Sequence, residues 1–359
     1  MGIFGMILVV FFMGFIAWIY QAIQPPPPKV CGSANGRPPV TAPRIKLSNG
    51  RHGTPIISQS HAFSLVVDLA DVMAGFQELM EELGIYLLSF DRPGYGESDP
   101  NPKKTGKNIA SDIEELADQL DLGSKFYIVV IVIVVVIVII SCFPPMWGQL
   151  HRSVDPVAPP MWSMDIASYH TKLDFGNDVN ATHHVLVSTS NVEFMSLLLA
   201  QLLAGVALLA PVINFWWRGI PANISNEAYK AQLAAANPEI LSFEDKKLVF
   251  KLAGMKEYQE YQAQIRQQGE FESIHRDMIV GFGRWEFSPI DLENPFPANE
   301  GSVHLWQGDE DLLVPVTLQR YIAEKLSWIR YHEVPGAGHL LILADGFPDT
   351  VVKALLLGH

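Results

Sequence analysis

The 359-residue sequence predicts an α/β fold, a mostly parallel sheet flanked by helices, and three observations carry that expectation. A short apolar run, Ile85–Phe90, leads through a Gly- and Pro-rich loop into a helical pattern beginning at Asn108, and then into a second apolar run at Phe126. Strand, loop, helix and strand in that order make a βαβ unit, whose two strands run parallel. The order returns near the C-terminus as strand Val303–Trp306, helix Val316–Leu326, strand Arg330–Val334 and a last helix Val351–Leu357. Finally, an acid and a histidine follow two consecutive strands of that repeat, and groups placed after parallel strands gather at one edge of the sheet.

Taken in order, Gly2–Ile23 carries no charged side chain and is rich in Phe, Ile, Val and Met. As a helix it would reach about 33 Å, enough for the hydrocarbon core of a bilayer. Residues 1–23 are therefore read as a transmembrane anchor. The rival is a cleaved signal peptide, which would begin with basic residues and end at a small-residue cleavage site. Here no Lys or Arg precedes Lys29. Lys29, Arg37, Arg44, Lys46 and Arg51 all follow the helix, which favours a single-pass membrane protein with its main domain in the cytosol. Sequons at Asn180 and Asn223 matter only in the opposite topology. Residues 24–43 form a Pro-rich linker, with Pro25–Pro28 as an extended spacer.

Residues 44–357 make up the globular domain. Gln77–Gly84 reads as helix and Ile85–Phe90 as a buried strand. From Asn108 to Leu120 apolar residues recur at helical spacing, with Ser111, Asp112, Glu114 and Glu115 suited to a first turn. Tyr127–Ile140 is almost all Ile and Val. Its length leaves open a strand, a second membrane segment and an aggregation-prone strand. No period is visible from Pro144 to Gln201, so residues 126–201 stand as an atypical segment. Leu202–Pro211 reads as a strand ending at a loop. Residues 212–300 are mostly helical, with Trp216, Trp217 and Trp285 near the ends, and suit either a lid over a pocket or a plain packed layer.

Composition narrows the partners. The net charge is −13, with no basic cluster of the kind that tracks phosphates, which argues against nucleic acid. Cys31 and Cys142 lie far apart and match no metal-ligand spacing. No cofactor or metal motif is found. Oligomeric state is not legible.

The chemistry rests on two residues. Asp311 lies in Gly308-Asp309-Glu310-Asp311-Leu312-Leu313-Val314-Pro315, just beyond a strand, and His339 lies in Pro335-Gly336-Ala337-Gly338-His339, just beyond the next. A carboxylate that fixes an imidazole tautomer, beside an imidazole that takes a nucleophile's proton, is the acid–base half of a triad. The segments SFDRPGYGESDP, LLAPV, HLWQGDEDLLVP and VPGAGHL, together with RQQGEFESIHRDMIVGFGRWEF, resemble the α/β-hydrolase superfamily. The chain looks closest to plant members with an N-terminal membrane helix, over about two thirds of its length. The resemblance implies Asp311 as triad acid, His339 as triad base, 212–300 as a helical lid, and a carboxylic ester or similar acyl compound as ligand.

The departures are as informative. The family's nucleophile stands in Gly-x-Ser-x-Gly at a strained strand-to-helix turn. That turn should follow Phe126-Tyr127-Ile128-Val129, yet Val130-Ile131-Val132-Ile133 comes instead, and no Gly-x-Ser-x-Gly occurs anywhere. Ser141, Ser188, Ser190 and Cys142 lack the glycines or activating context a nucleophile needs. The nucleophile is therefore unknown. His52-Gly53 lacks the preceding strands expected of an oxyanion loop and reads as coincidence. Asp91 and Ser98 read as loop architecture. The expected function is that of an ancestral serine esterase or lipase-like hydrolase whose activity is lost or much reduced, on an incomplete α/β-hydrolase-like sheet. The alternatives are a non-catalytic membrane-tethered pseudoenzyme or binding protein, and a defective gene product.

Overall fold

The computed structural model describes residues 3–22, 24–32, 44–57, 79–123, 125–131, 183–188, 203–234, 241–243, 245–246, 263–285, 287–344 and 346–358. Eight strands form one sheet: β1 (Ile45–Lys46), β2 (His52–Ile57), β3 (Ile85–Asp91), β4 (Phe126–Ile131), β5 (His183–Ser188), β6 (Leu203–Leu209), β7 (Val303–Gly308) and β8 (Ile329–Val334). Their spatial order is β1-β2-β3-β5-β4-β6-β7-β8. Pairing is antiparallel through β1, β2 and β3, and parallel across the six strands from β3 to β8. The helices are α1 (Ile3–Ala22), α2 (Gly106–Gln119), α3 (Ala222–Ala234), α4 (Arg276–Phe282), α5 (Val316–Lys325) and α6 (Phe347–Leu357).

The α/β expectation holds, because the parallel strands are covered on both faces. Ile128, Leu186, Val206 and Leu208 pack with Ile109 and Ile113 of α2 and Leu318 and Ile322 of α5. Val129, Val185, Ala207 and Leu209 pack with Val351, Val352 and Leu355 of α6 and with Leu79 and Met80. Alternate residues of one strand thus feed opposite layers, as the two-residue period of a strand requires. Each fully buried aliphatic side chain contributes about 1.5–3 kcal/mol of transfer free energy.

The patternless stretch contains a surprise. His183–Ser188 lies between β3 and β4, although it follows both in sequence. Where the sequence led us to expect an incomplete sheet, β5 joins β3 to β4 and the described strands run without a gap. The signal was too short to stand out, since only Val185, Leu186 and Val187 are apolar. Flanking imidazoles meet neighbours edge-on, His183 against Tyr127 and His184 against Tyr86. The Ile/Val run is a strand as far as Ile131; the rest of it, with Ser141, Cys142 and Ser190, lies outside the described residues.

Helix α2 begins two residues earlier than its apolar period suggests. Thr105 is the N-cap, and it forms a capping box with Asn108: each side chain accepts from the other's backbone N–H, at 3.3 and 2.9 Å. The acids assigned to the first turn therefore sit further along. Asp112 binds Arg51 at 2.7 Å and Asn49 at 2.8 Å, and Glu115 accepts from Ser48 N at 2.6 Å. They tie the helix to the β1–β2 hairpin instead of serving its dipole.

The linker is less free than its prolines imply. Lys29 N donates to Gln268 O at 3.3 Å, and Cys31 is buried with its Sγ 3.6 Å from Gly96 O. Helix α1 runs twenty residues, Ile3–Ala22. Among the described residues no helix is long and apolar enough to cross a membrane.

At the amino end of β7 and β8 lies a buried polar chain. Ser302 Oγ is 2.9 Å from His304 Nε2, and His304 Nδ1 is 2.9 Å from His332 Nε2. The two rings are parallel with centroids 5.1 Å apart, so they meet end to end in one plane and share an N–H···N bond. Burial, then the neighbouring His332 and Arg330, push the His304 pKa down to about 4. Because the folded value is below the unfolded one (about 6.5), the stability held by neutral His304 is full above pH 6.5 and is lost as pH falls towards 4. Asp91, raised by burial to about 6, works in the opposite sense over the same window. The urea midpoint of His304→Gln should therefore fall less between pH 7 and pH 4.5 than that of the parent; an unchanged pH slope would contradict this.

Candidate active site

Parallel pairing of β7 with β8 sets Gly308 opposite Val334 at the carboxyl edge. The loops that follow these residues carry Asp311 and His339. Asp311 Oδ2 lies 2.9 Å from His339 Nδ1, and both side chains are sealed from solvent, at 0% exposure. The sequence-predicted pair is brought together.

The carboxylate is held on all sides. Oδ1 accepts the backbone N–H groups of Leu313 and Val314, both at 2.9 Å. Oδ2 also accepts Gln307 Nε2 at 2.8 Å, and the same amide donates to Val314 O at 3.2 Å. An acceptor this fully used orients its partner: Nδ1–H of His339 donates to it, which leaves Nε2 as the basic nitrogen. The two loops also grip each other. Glu310 N donates to Ala337 O at 3.0 Å, and Gly336 N donates to Asp309 Oδ1 at 2.7 Å. Gly308 must be glycine here, because a Cβ would overlap the carbonyl of Ala337.

Sequence reasoning missed Asp245. It is 1% exposed, and its carboxylate accepts His339 N on Oδ2 and Leu340 N on Oδ1, both at 2.8 Å. Nothing in its surroundings, Ser242-Phe243-Glu244-Asp245, marks it out; a serine three residues before an acid is the only trace, and it reads as an ordinary helix start.

The loop after β3 has other partners. Its residues dock on the segment Arg266–Phe282. Asp277 takes ion pairs from Arg92 and Lys104 and a hydrogen bond from Tyr95 Oη at 2.6 Å. Burial alone would raise its pKa, but the two cations and these hydrogen bonds outweigh it and the net shift is downward. Gln268 Nε2 donates to Gly96 O at 2.9 Å and Ser98 O at 2.6 Å. Asp91 Oδ2 accepts Glu97 N within the loop, at 3.2 Å. His52 opens β2 and is bound through N and Nδ1 to Asp99 Oδ2, at 2.9 and 3.0 Å. Five strand spacings, about 24 Å, separate β2 from β7. His52-Gly53 cannot serve the pair.

Strand β4 ends at Ile131, two strands from β7, where an elbow would have to follow. Residues 132–140 lie outside the described set. Ser188 closes β5 by its backbone, and its side chain lies outside that set too. Among the described residues no group of three or more His, Cys, Asp or Glu side chains is placed to hold a metal ion.

No family model matches the chain, and no curated protein matches it in sequence. Solved structures similar to it include an esterase from Exiguobacterium antarcticum, with TM-score 0.48 and 13% identity over 87% of this chain and 98% of that one. A thermophilic esterase from Thermogutta terrifontis gives 0.47 and 14%, over 87% and 96%. The enol-lactonase from Burkholderia xenovorans LB400 gives 0.46 and 17%, over 87% and 98%. Likeness at this level assigns no chemistry.

Asp311→Asn would set an amide group against Gln307, His339 or a backbone donor. The expected cost is about 1–3 kcal/mol in urea unfolding, the range for a buried donor left unpaired. Asp309→Asn, at an exposed position, should cost well under half as much, and equal losses would argue against a sealed, fully bonded carboxylate.

Proposed function

We propose that the chain is an α/β-hydrolase superfamily member descended from a serine esterase or lipase-like hydrolase of carboxylic esters, with activity lost or much reduced. The observation that carries this reading is the buried Asp311–His339 hydrogen bond at the carboxyl edge of a parallel sheet. The order of motifs along the chain supports it. An imidazole oriented through Nδ1 by a fixed carboxylate is what general-base catalysis asks for.

The sequence holds no Gly-x-Ser-x-Gly elbow. In a triad the serine contributes on the order of 10⁶-fold in turnover, and acid and base do little without it. Ile and Val stand in the sequence where the elbow's glycines and serine would follow β4. The ligand of such a chain is a small acyl or ester compound, bound without efficient turnover.

The same reading takes α1 as a single-pass anchor with the main domain on the cytosolic side. Twenty residues without a charged side chain support it, as do exposed Phe11, Phe12, Phe15 and Trp18.

Two outcomes are expected. A fluorophosphonate probe on folded protein should label no more than it labels the His339→Ala variant; strong labelling that depends on His339 would restore an active nucleophile. In alkaline membrane extraction the full chain should stay in the pellet, whereas a variant lacking residues 1–23 is released. Release of the full chain would remove the anchor.

A further inference from the structure

We infer that Asp245 is a positioning residue: it fixes the backbone of His339, so that docking of the segment 241–246 completes the acid–base pair. The inference rests on the reading of Asp311 and His339 as that pair.

Two loops must be held for the ring to meet Asp311. The first is held by Asp311 itself, through Leu313 N, Val314 N and Gln307 Nε2. The second carries His339 between Gly338 and Leu340. Gly336 lies at positive φ, so the loop's own backbone preference does little to fix it. On its β7 side the loop is tied by Glu310 N to Ala337 O and by Gly336 N to Asp309. Both of those ties precede His339. From the other side, the amides of His339 and Leu340 donate to the two oxygens of Asp245.

Two successive N–H groups converging on one carboxylate make an anion-binding concavity, and a charged acceptor shortens and strengthens both bonds. The carboxylate is itself held in a turn. Asp245 N donates to Ser242 Oγ at 3.1 Å, and Lys246 N donates to Ser242 O at 3.0 Å. Leu241 packs in the same apolar cluster as Leu340, Leu341 and Ile342. The approach is close: a Cβ on Gly338 would overlap the Asp245 carboxylate and Ser242 Oγ. Asp245 belongs to the insertion between β6 and β7, which is also the part of the chain expected to cover a ligand.

The test is ¹⁵N NMR of the full chain labelled at histidine, with His339 assigned by His339→Gln. In the parent the ring should show two well-separated nitrogen signals, as a single fixed Nδ1–H tautomer does. In Asp245→Asn one carboxamide oxygen faces two amide donors. The two signals should move together as the tautomers exchange, in protein whose circular dichroism stays native. Unchanged ring signals in folded Asp245→Asn would overturn the inference. Should that variant fail to fold, Ser242→Ala loosens the turn while leaving the carboxylate, and the same reading applies to it. None of these signals requires turnover, so an inert chain leaves the test intact, and hydrolysis measured separately bears only on the proposed function.

Discussion

The hydrogen bond from His339 to Asp311 exists only because β7 and β8 run parallel and in register. Gly308 opposite Val334 brings the two following loops to the same edge, one strand spacing apart. Reversing or shifting one strand would send the acid and the imidazole to opposite ends or opposite faces of the sheet. Burial then raises the demand on each group. A carboxylate out of water must have its lone pairs filled, and here two backbone amides, one side-chain amide and the imidazole fill them.

That demand explains why the loops are so constrained. Gly308 admits the carbonyl of Ala337, Gly338 admits the carboxylate of Asp245, and the Leu340–Leu343 turn seals the pair from below in the apolar cluster with α6. The β3 loop follows the same rule with different parts. It is pinned by a buried Asp277 that pairs with two cations and accepts from a tyrosine hydroxyl, and by one glutamine amide that donates to the carbonyls of Gly96 and Ser98. In both places the insertion between β6 and β7 supplies a buried acid that closes a loop at the carboxyl edge.

Much of this was legible beforehand, and for identifiable reasons. The βαβ unit and the C-terminal repeat carry strong local periods, so their strands and helices lie close to where the sequence puts them. Asp311 and His339 were visible because their loops are built from glycine and proline next to clear strands. What escaped was non-local. His183–Ser188 has too few apolar residues to read as a strand, and its place between β3 and β4 is set by partners far away in sequence. The start of α2 was shifted because Asn108 acts in a cap and Asp112 and Glu115 act on a hairpin sixty residues earlier. Asp245 escaped because its role belongs to backbone amides nearly a hundred residues later, which leave no mark in the sequence around it.

The account stands or falls on one separation. A crystal structure of the chain at neutral pH should place His339 Nδ1 within hydrogen-bond reach of Asp311 Oδ2, near the 2.9 Å found here, with both side chains out of solvent. A separation beyond about 3.5 Å, with the ring turned out to water, would contradict it.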